Sequence, residues 1–339
     1  MDNRYSRQIL FKPIGEQGQQ RLQQSAVTII GCGALGTALA ETLVRAGVGQ
    51  LYLIDRDVVE LSNLQRQTLF TEQQAIDMTP KVVAAKQRLL EIRSDIQLHI
   101  TIDHADSMLI EQHAKKSDLI LDATDNFETR LMINDAAHKY NIPWIYGACV
   151  GGSGVVFPFI PNKSACFRCL LPTLPALNET CDTVGIISPA VQVTAAMQSA
   201  EAIKWLTGNE DQLMQKVHHF DIWSNEQMNI GISRIKRADC PSCGENPIYP
   251  ALSLAEQTKV ITLCGRETVQ IVPDRNRNIT LDDAERAATR LSNHVRRTPY
   301  FVELKVESMR LMVFNNGRLL IHGTKDNYEA RRLYQQLFG

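Results

Sequence analysis

The β-branched run Ala26-Val27-Thr28-Ile29-Ile30 ends abruptly at Gly31-Cys32-Gly33-Ala34-Leu35-Gly36, and helical composition begins at once. A strand that stops on glycines and reopens as a helix leaves unpaired backbone N–H groups facing outward, ready for an anion. Leu35, Leu39, Leu43 and Ala46 lie on one helical stripe until Gly47-Val48-Gly49 stops it. Gln50 to Ile54 then reads as a second strand, ending in the acid Asp55. Strand, glycine turn, helix, strand and acid in that order open a doubly wound sheet.

The alternation continues. Helices are expected over Lys81 to Leu90, with Pro80 beside the first turn, over Ser107 to Lys116 and over Glu128 to Tyr140. Strands are expected at Gln97 to Ile102, Asp118 to Thr124 and Pro143 to Ala148. Short strands separated by longer helices imply parallel pairing with helices on both faces, and such folds gather reactive groups at the carboxyl ends of their strands. Beyond Cys149 the pattern changes. Val155-Val156-Phe157 suggests an added strand of unassigned direction, Leu170 to Ile187 reads as a loop, and Ser188-Pro189 opens a helix through Leu206. His218 to Trp223 and Met228 to Ile232 read as antiparallel strands with Asn225 and Glu226 in their turn. The expectation is an α/β, Rossmann-like, mostly parallel sheet with an antiparallel extension over residues 1–247. A small α+β module follows over 248–339, with strands at Val269 to Val272, Phe301 to Val306, Arg310 to Phe314 and Arg318 to His322. It also has a helix over Leu281 to His294, an Asn316-Gly317 hairpin and a final helix over Tyr328 to Leu337.

Cys166 and Cys169 form one Cys-x-x-C pair, Cys240 and Cys243 another. A single pair could be a redox dithiol. Two equally spaced pairs favour tetrahedral zinc with no open coordination position, hence a structural ion that ties a mid-chain excursion to a later segment. The chain has 8 cysteines in 339 residues, too sparse for a disulfide scaffold and in keeping with a reducing compartment. A formal net charge of -1 gives no support for nucleic-acid binding. No apolar stretch approaches a membrane span, and the start Met1 to Arg7 carries no apolar signal core, so a cytoplasmic protein is expected.

Asp55, at a strand end, is placed to receive ribose hydroxyls. With the glycine turn alone, NAD and ATP fit equally well, and an NAD-dependent oxidoreductase with a structural zinc lobe is the alternative reading. The polar groups that follow point to ATP: Asp57, Asn63, Gln65, Arg66 and Lys81, then Asp122, Asp125 and Asn126. A triphosphate under attack accumulates charge that fixed cations stabilise, and Arg66 and Lys81 supply it. Asp125 stands just past the fourth strand, where a carboxylate could hold Mg2+ beside the phosphates.

With these residues the chain resembles the adenylating enzymes of the ThiF and MoeB type, bacterial relatives of ubiquitin-activating enzymes. The resemblance runs from Arg4 to Gly244. It rests on Arg4-Tyr5-Ser6-Arg7-Gln8, the glycine turn, Ser62-Asn63-Leu64-Gln65-Arg66-Gln67, Asp122-Ala123-Thr124-Asp125-Asn126 and both cysteine pairs. It implies ATP-dependent adenylation of the C-terminal glycine of a small ubiquitin-like sulfur carrier protein ending in Gly-Gly, in thiamine or molybdopterin (molybdenum cofactor) biosynthesis. It also implies a homodimer in which Arg7 reaches the partner's nucleotide. Gly31, Gly33 and Gly36 would line the phosphate loop and Asp55 would hold the ribose. Asn63, Arg66 and Lys81 would contact phosphates, with Asp57, Gln67 and Asn126 at the same nucleotide. Asp125 would match the family's indispensable, magnesium-orienting acid, and Cys166, Cys169, Cys240 and Cys243 the zinc ligands.

A free α-carboxylate is ionised near pH 7, so this mechanism needs alignment and charge stabilisation but no general base. Cys181 corresponds to the family cysteine placed to meet the activated carrier. Asp182 beside it opposes a lowered pKa while loop placement favours access, so a covalent role and a noncatalytic one both stand. Cys32, Cys149 and Cys264 are expected to be buried packing thiols, and the histidines structural or surface groups. The last 90 or so residues show no sulfurtransferase loop. Sulfur is therefore expected from a separate donor such as a cysteine desulfurase.

Overall fold

The computed structural model describes residues 3–173, 184–253, 259–262, 267–273 and 279–339. The chain divides into two compact units, Met1–Ala255 and Glu256–Gly339. The first is built on an eight-stranded sheet of order β3-β2-β1-β4-β5-β6-β7-β8. Its strands are β1 (Ala26–Ile30), β2 (Gln50–Ile54), β3 (Gln97–Thr101), β4 (Leu119–Asp122), β5 (Trp144–Val150), β6 (Ser153–Phe159), β7 (Lys216–Asp221) and β8 (Glu226–Gly231). β1 to β5 pair in parallel, and β6, β7 and β8 add on antiparallel.

The helices are α1 (Ser6–Ile9), α2 (Gly15–Gln24), α3 (Ala34–Ala46), α4 (Glu72–Ile76), α5 (Lys81–Ile92), α6 (Ser107–Ala114), α7 (Phe127–Tyr140), α8 (Phe167–Leu170) and α9 (Ser188–Thr207). Successive residues of a strand point to opposite faces, so the central strands feed two cores. Val27, Ile29, Leu119 and Leu121 join Leu39, Leu43, Leu89 and Val191 on the side of α3, α5 and α9. Ile30 and Ile120 join Ile110, Ile133, Trp144 and Phe167 on the side of α6 and α7. Burial on both faces explains why these strands read as continuous apolar runs. The sheet reverses its order of growth between β1 and β4, which puts a crevice at their carboxyl ends.

Several local boundaries differ from expectation. Glu226 belongs to β8, paired with Asp221, and not to the turn. Asp221 Oδ1 accepts from Trp223 N at 2.8 Å and Ser224 N at 2.9 Å, which starts the turn earlier, and Asn225 closes it at φ 60°. The N-cap of α9 is Ile187, without a side-chain hydrogen bond, although proline does stand in its first turn. Thr71 and Gln74 form a capping box that starts the unexpected α4. The added strand β6 is antiparallel to β5.

The second unit is a six-stranded antiparallel sheet of order β11-β12-β13-β14-β10-β9. It comprises β9 (Lys259–Thr262), β10 (Thr268–Val272), β11 (Val295–Arg297), β12 (Phe301–Val306), β13 (Met309–Phe314) and β14 (Leu319–His322), with α10 (Leu281–Leu291) and α11 (Asn327–Phe338). Ala284, Ala287, Ala288, Ala330 and Leu333 pack against Val269, Leu304, Leu311 and Ile321. The helix expected to run to His294 stops at Leu291, and Ser292 is extended, with ψ 144°, so that β11 can begin. Gly317 adopts φ 74° in the β13–β14 hairpin. Among the described residues no helix is long and apolar enough to cross a membrane.

Candidate active site

The crevice between β1 and β4 is shaped by glycine. Gly31 has φ +96°, and a Cβ there would lie 2.4 Å from the carbonyl oxygen of Ala123. A Cβ on Gly36 would lie 2.0 Å from the oxygen of Gly31. These glycines let the turn close tightly against the end of β4. Gly33 differs. Among the described residues a Cβ there would find only Gln67 Nε2, at 3.8 Å, which leaves open space at the N-terminus of α3. The first-turn N–H groups of α3 and the positive end of its dipole face this opening.

One wall carries the acids after β2. Asp55 accepts from Cys32 N at 2.6 Å and from Asp57 N at 2.7 Å, which fixes its carboxylate beside the glycine turn. Burial pushes its pKa up, opposed by Lys81. Lys81, the first residue of α5, is buried, and its Nζ pairs with Asp57 at 3.1 Å. Asn63 and Gln67 are 1% and 4% exposed, and Gln67 N donates to Asn63 O at 3.0 Å. Asn63 Oδ1 accepts from Glu60 N at 3.1 Å, whereas Asn63 Nδ2 and Gln67 Oε1 have no hydrogen-bond partner among the described residues. A buried polar atom left unmatched costs about 1–3 kcal/mol, a deficit that a polar ligand relieves. Arg66 is half-buried and its Nη1 donates to Ser62 O at 3.0 Å.

The opposite wall is the end of β4. Asp122 is fully buried and accepts from Thr124 N at 2.9 Å, Thr124 Oγ1 at 2.7 Å and Arg130 Nε at 3.0 Å. Burial pushes its carboxyl up, and Arg130 opposes this. Arg130 Nη2 also donates to Thr124 O at 2.6 Å, and Gln198 of α9 donates to Asp122 O at 2.8 Å and Ile145 O at 3.2 Å. Asp122 is thereby consumed in holding the loop. Asp125 is exposed; its side chain accepts from Asn126 Nδ2 at 3.4 Å and lies within the electrostatic reach of Arg130, and Asn126 in turn caps α7 through Thr129 N at 2.9 Å. Arg130 and Gln198, which set the shape of this wall, were missed in the sequence because their partners come from other elements.

Gly31, Gly33, Gly36, Asp55, Asp57, Gln67 and Lys81 are brought together around the turn. Arg7 lies apart, exposed on α1, with no ion pair among the described residues. Cys181 and Cys264 lie outside the described residues. Cys32 is buried as expected, and burial raises its thiol pKa well beyond the usual range, whereas Cys149 is only half-buried at the end of β5.

On the α7 side of the sheet the Sγ atoms of Cys166, Cys169, Cys240 and Cys243 lie within 4.8 Å of one another. Cys166 and Cys240 sulfurs are 3.6 Å apart, Cys169 and Cys243 sulfurs 3.7 Å. Four sulfurs on tetrahedral zinc at about 2.3 Å would be about 3.8 Å apart, so the donor set fits that ion. The neighbouring thiols, Cys166 first, draw Cys243 below the usual thiol range.

The chain matches the ThiF family over residues 5–242. It is 44% identical over 339 residues to a Bacillus subtilis sulfur carrier protein ThiS adenylyltransferase, covering 100% of both chains. The Escherichia coli protein of the same description is 40% identical over 73% of this chain and 97% of its own. A maize adenylyltransferase and sulfurtransferase, MOCS3-1, is 37% identical over 73% of this chain but only 52% of its own. Among solved structures, E. coli MccB superposes with a TM-score of 0.63 at 24% identity, over 72% of this chain and 75% of that one, a likeness of fold.

Proposed function

This chain belongs to the ThiF family and is an adenylyltransferase, and from that premise we propose that it uses ATP to adenylate the C-terminal glycine of a small ubiquitin-like sulfur carrier of the ThiS kind. The match to the B. subtilis enzyme runs the full length at 44% identity and the E. coli enzyme of the same description reaches 40%, against 37% for the maize protein, which supports the ThiS-like carrier over a molybdopterin-type one. The observation that carries ATP is the open space at Gly33, flanked by buried amide atoms with no partner among the described residues.

In this reading the phosphates lie over the N-terminus of α3. Gly33 leaves their space free, and Asp55, locked by two backbone donors, receives the ribose. Asn63 Nδ2 and Gln67 meet nucleotide oxygens. Lys81 already carries one acid, Asp57, so its charge is fixed before substrate arrives and no reorganisation is needed at the moment of reaction. Arg66 adds a second cation. Asp125, kept out of the Asp122–Arg130 lock, is the acid with a carboxylate to spare for Mg2+, which would screen the triphosphate against the incoming anion. The carrier's terminal carboxylate attacks the α-phosphorus, the α–β bridging P–O bond breaks, and pyrophosphate leaves with its electron pair. The product is an acyl-adenylate. Arg7 completes the site of a partner copy, and a separate cysteine desulfurase supplies sulfur afterwards.

Zn2+ would be held by Cys166, Cys169, Cys240 and Cys243, and a closed four-sulfur site supplies cross-linking and no catalysis. An NAD-linked activity is not favoured.

The test is carrier-dependent exchange of labelled pyrophosphate into ATP, with mass spectrometry of the adenylated carrier. Asp125→Asn is expected to lower the exchange rate about 100-fold or more while leaving the melting temperature unchanged. An equal exchange rate in parent and variant rejects the role of Asp125. No adenylated product with any ThiS-like carrier rejects the carrier assignment.

A further inference from the structure

Both cysteine knuckles converge on one buried carboxylate. Asp135 of α7 has no exposed surface. Its Oδ1 accepts from Ser242 Oγ at 2.5 Å and Asn134 Nδ2 at 3.2 Å; its Oδ2 accepts from Arg168 Nη2 at 3.1 Å and Ala251 N at 2.9 Å. Arg168 lies between Cys166 and Cys169, and Ser242 between Cys240 and Cys243. Arg168 Nε also donates to Ser242 Oγ at 2.8 Å, so the two knuckles touch each other through the same group that each uses to touch Asp135. Next to it, Asn134 Oδ1 accepts from Phe167 N at 2.9 Å and holds the first knuckle by its backbone.

We propose that Asp135 is the positioning residue of the metal centre: it ligates nothing, yet it joins the two knuckles and sets how tightly the ion is kept. This rests on the zinc reading above. The argument is one of preorganisation. The knuckles come from segments 74 residues apart, and each alone offers only a dithiol. Their sulfurs stand at tetrahedral spacing because Arg168 and Ser242 are drawn to one anchor on a helix packed in the core. Groups that orient metal ligands without binding the metal typically change affinity 10–100-fold when removed. α7 begins at the Asn126 cap beside Asp125 and carries Arg130, so the same helix holds the metal lobe at one place and one wall of the adenylation site at another.

The experiment uses the full chain loaded with Zn2+ and follows transfer of the ion to a chromophoric chelator. Asp135→Asn and Ser242→Ala are each expected to release zinc about 10–100-fold faster than the parent. In Cd2+-substituted protein their thiolate-to-metal absorption band is expected to shift. Leu89→Ala is the control: it cuts a fully buried side chain on the opposite face of the sheet and lowers global stability without touching the knuckles. It is expected to release zinc at the parent rate. Parental release from both Asp135→Asn and Ser242→Ala overturns the proposal, as does equal acceleration by Leu89→Ala. If Asp135→Asn does not fold, Ser242→Ala alone decides, because it leaves no charge unpaired. A parent that retains its ion beside unchanged variants sinks this proposal only. A parent that binds neither Zn2+ nor Cd2+ overturns the zinc reading with it.

Discussion

Replacing Gly33 by alanine separates the nucleotide site from the fold. Among the described residues the added methyl meets only Gln67 Nε2, at 3.8 Å, an ordinary contact, and the backbone there has φ -85° and ψ -143°. No side chain opposes the methyl, so the cost to folding is that of holding alanine at ψ -143°, outside the favoured β range, about 1–3 kcal/mol. The methyl also occupies the space over the first turn of α3. Loss of one hydrogen bond to a charged phosphate costs about 1.5–3 kcal/mol, or about 10- to 150-fold in ATP affinity. Gly31→Ala supplies the contrast. Its Cβ would come 2.4 Å from Ala123 O at φ +96°. The left-handed conformation alone costs about 1–2 kcal/mol, and each kcal/mol lowers Tm by roughly 2–4 °C in a unit of this size. Calorimetric titration with Mg·ATP and thermal melting of both variants read the two effects apart. Parental ATP affinity in Gly33→Ala would refute the placement of the phosphates, and parental stability in Gly31→Ala would refute the account of the turn.

Further outcomes concern pH and assembly. Burial, with Lys116 and His99 nearby, draws His113 down to about 4, while the unfolded side chain titrates near 6.5. The folded protein keeps this histidine neutral, so its stability is complete above pH 6.5 and declines as pH falls toward 4. The loss totals at most about 3.5 kcal/mol at about 1.4 kcal/mol per pH unit. Denaturant titrations at pH 7, 6 and 5 should show that slope in the parent and a flatter one in His113→Gln; identical slopes would exclude the histidine. Arg7→Ala is expected to cut adenylation about 10-fold or more without changing ATP-independent stability, and mixing it with an Asp125→Asn protein should restore part of the activity by exchanging subunits. Failure of mixed dimers to recover activity would assign Arg7 to its own chain's site.

The parts that could be read in advance share a local cause. β1, β2 and β4 are apolar runs bounded by glycine or acid because both faces are covered. α3 and α9 end on Gly47 and Gly208 because the left-handed cap suits glycine. The cysteine pairs declare themselves by spacing. What escaped notice depends on distance along the chain or on exposure. β8 is exposed at every residue, so no apolar alternation marked where it starts, and Glu226 looked like turn. β11 is three residues, Val295–Arg297, at a sheet edge. Arg130, Gln198 and Asp135 carry no motif. Gln198 reaches strand ends 76 and 53 residues away, and Asp135 meets a serine 107 residues away. The Thr71–Gln74 cap, by contrast, is a local signal that its own spacing carries.

The alternation along β1 and β4 means that adjacent residues answer to different neighbourhoods. Ile29 and Leu121 look toward α3, α5 and α9, where the nucleotide turn is buttressed, whereas Ile30 and Ile120 look toward α7 and the cysteine lobe. Inserting one residue into either strand would therefore do more than shift a register. It would turn each wall's support over to the other side, and damage to ATP handling and to metal retention would arrive together.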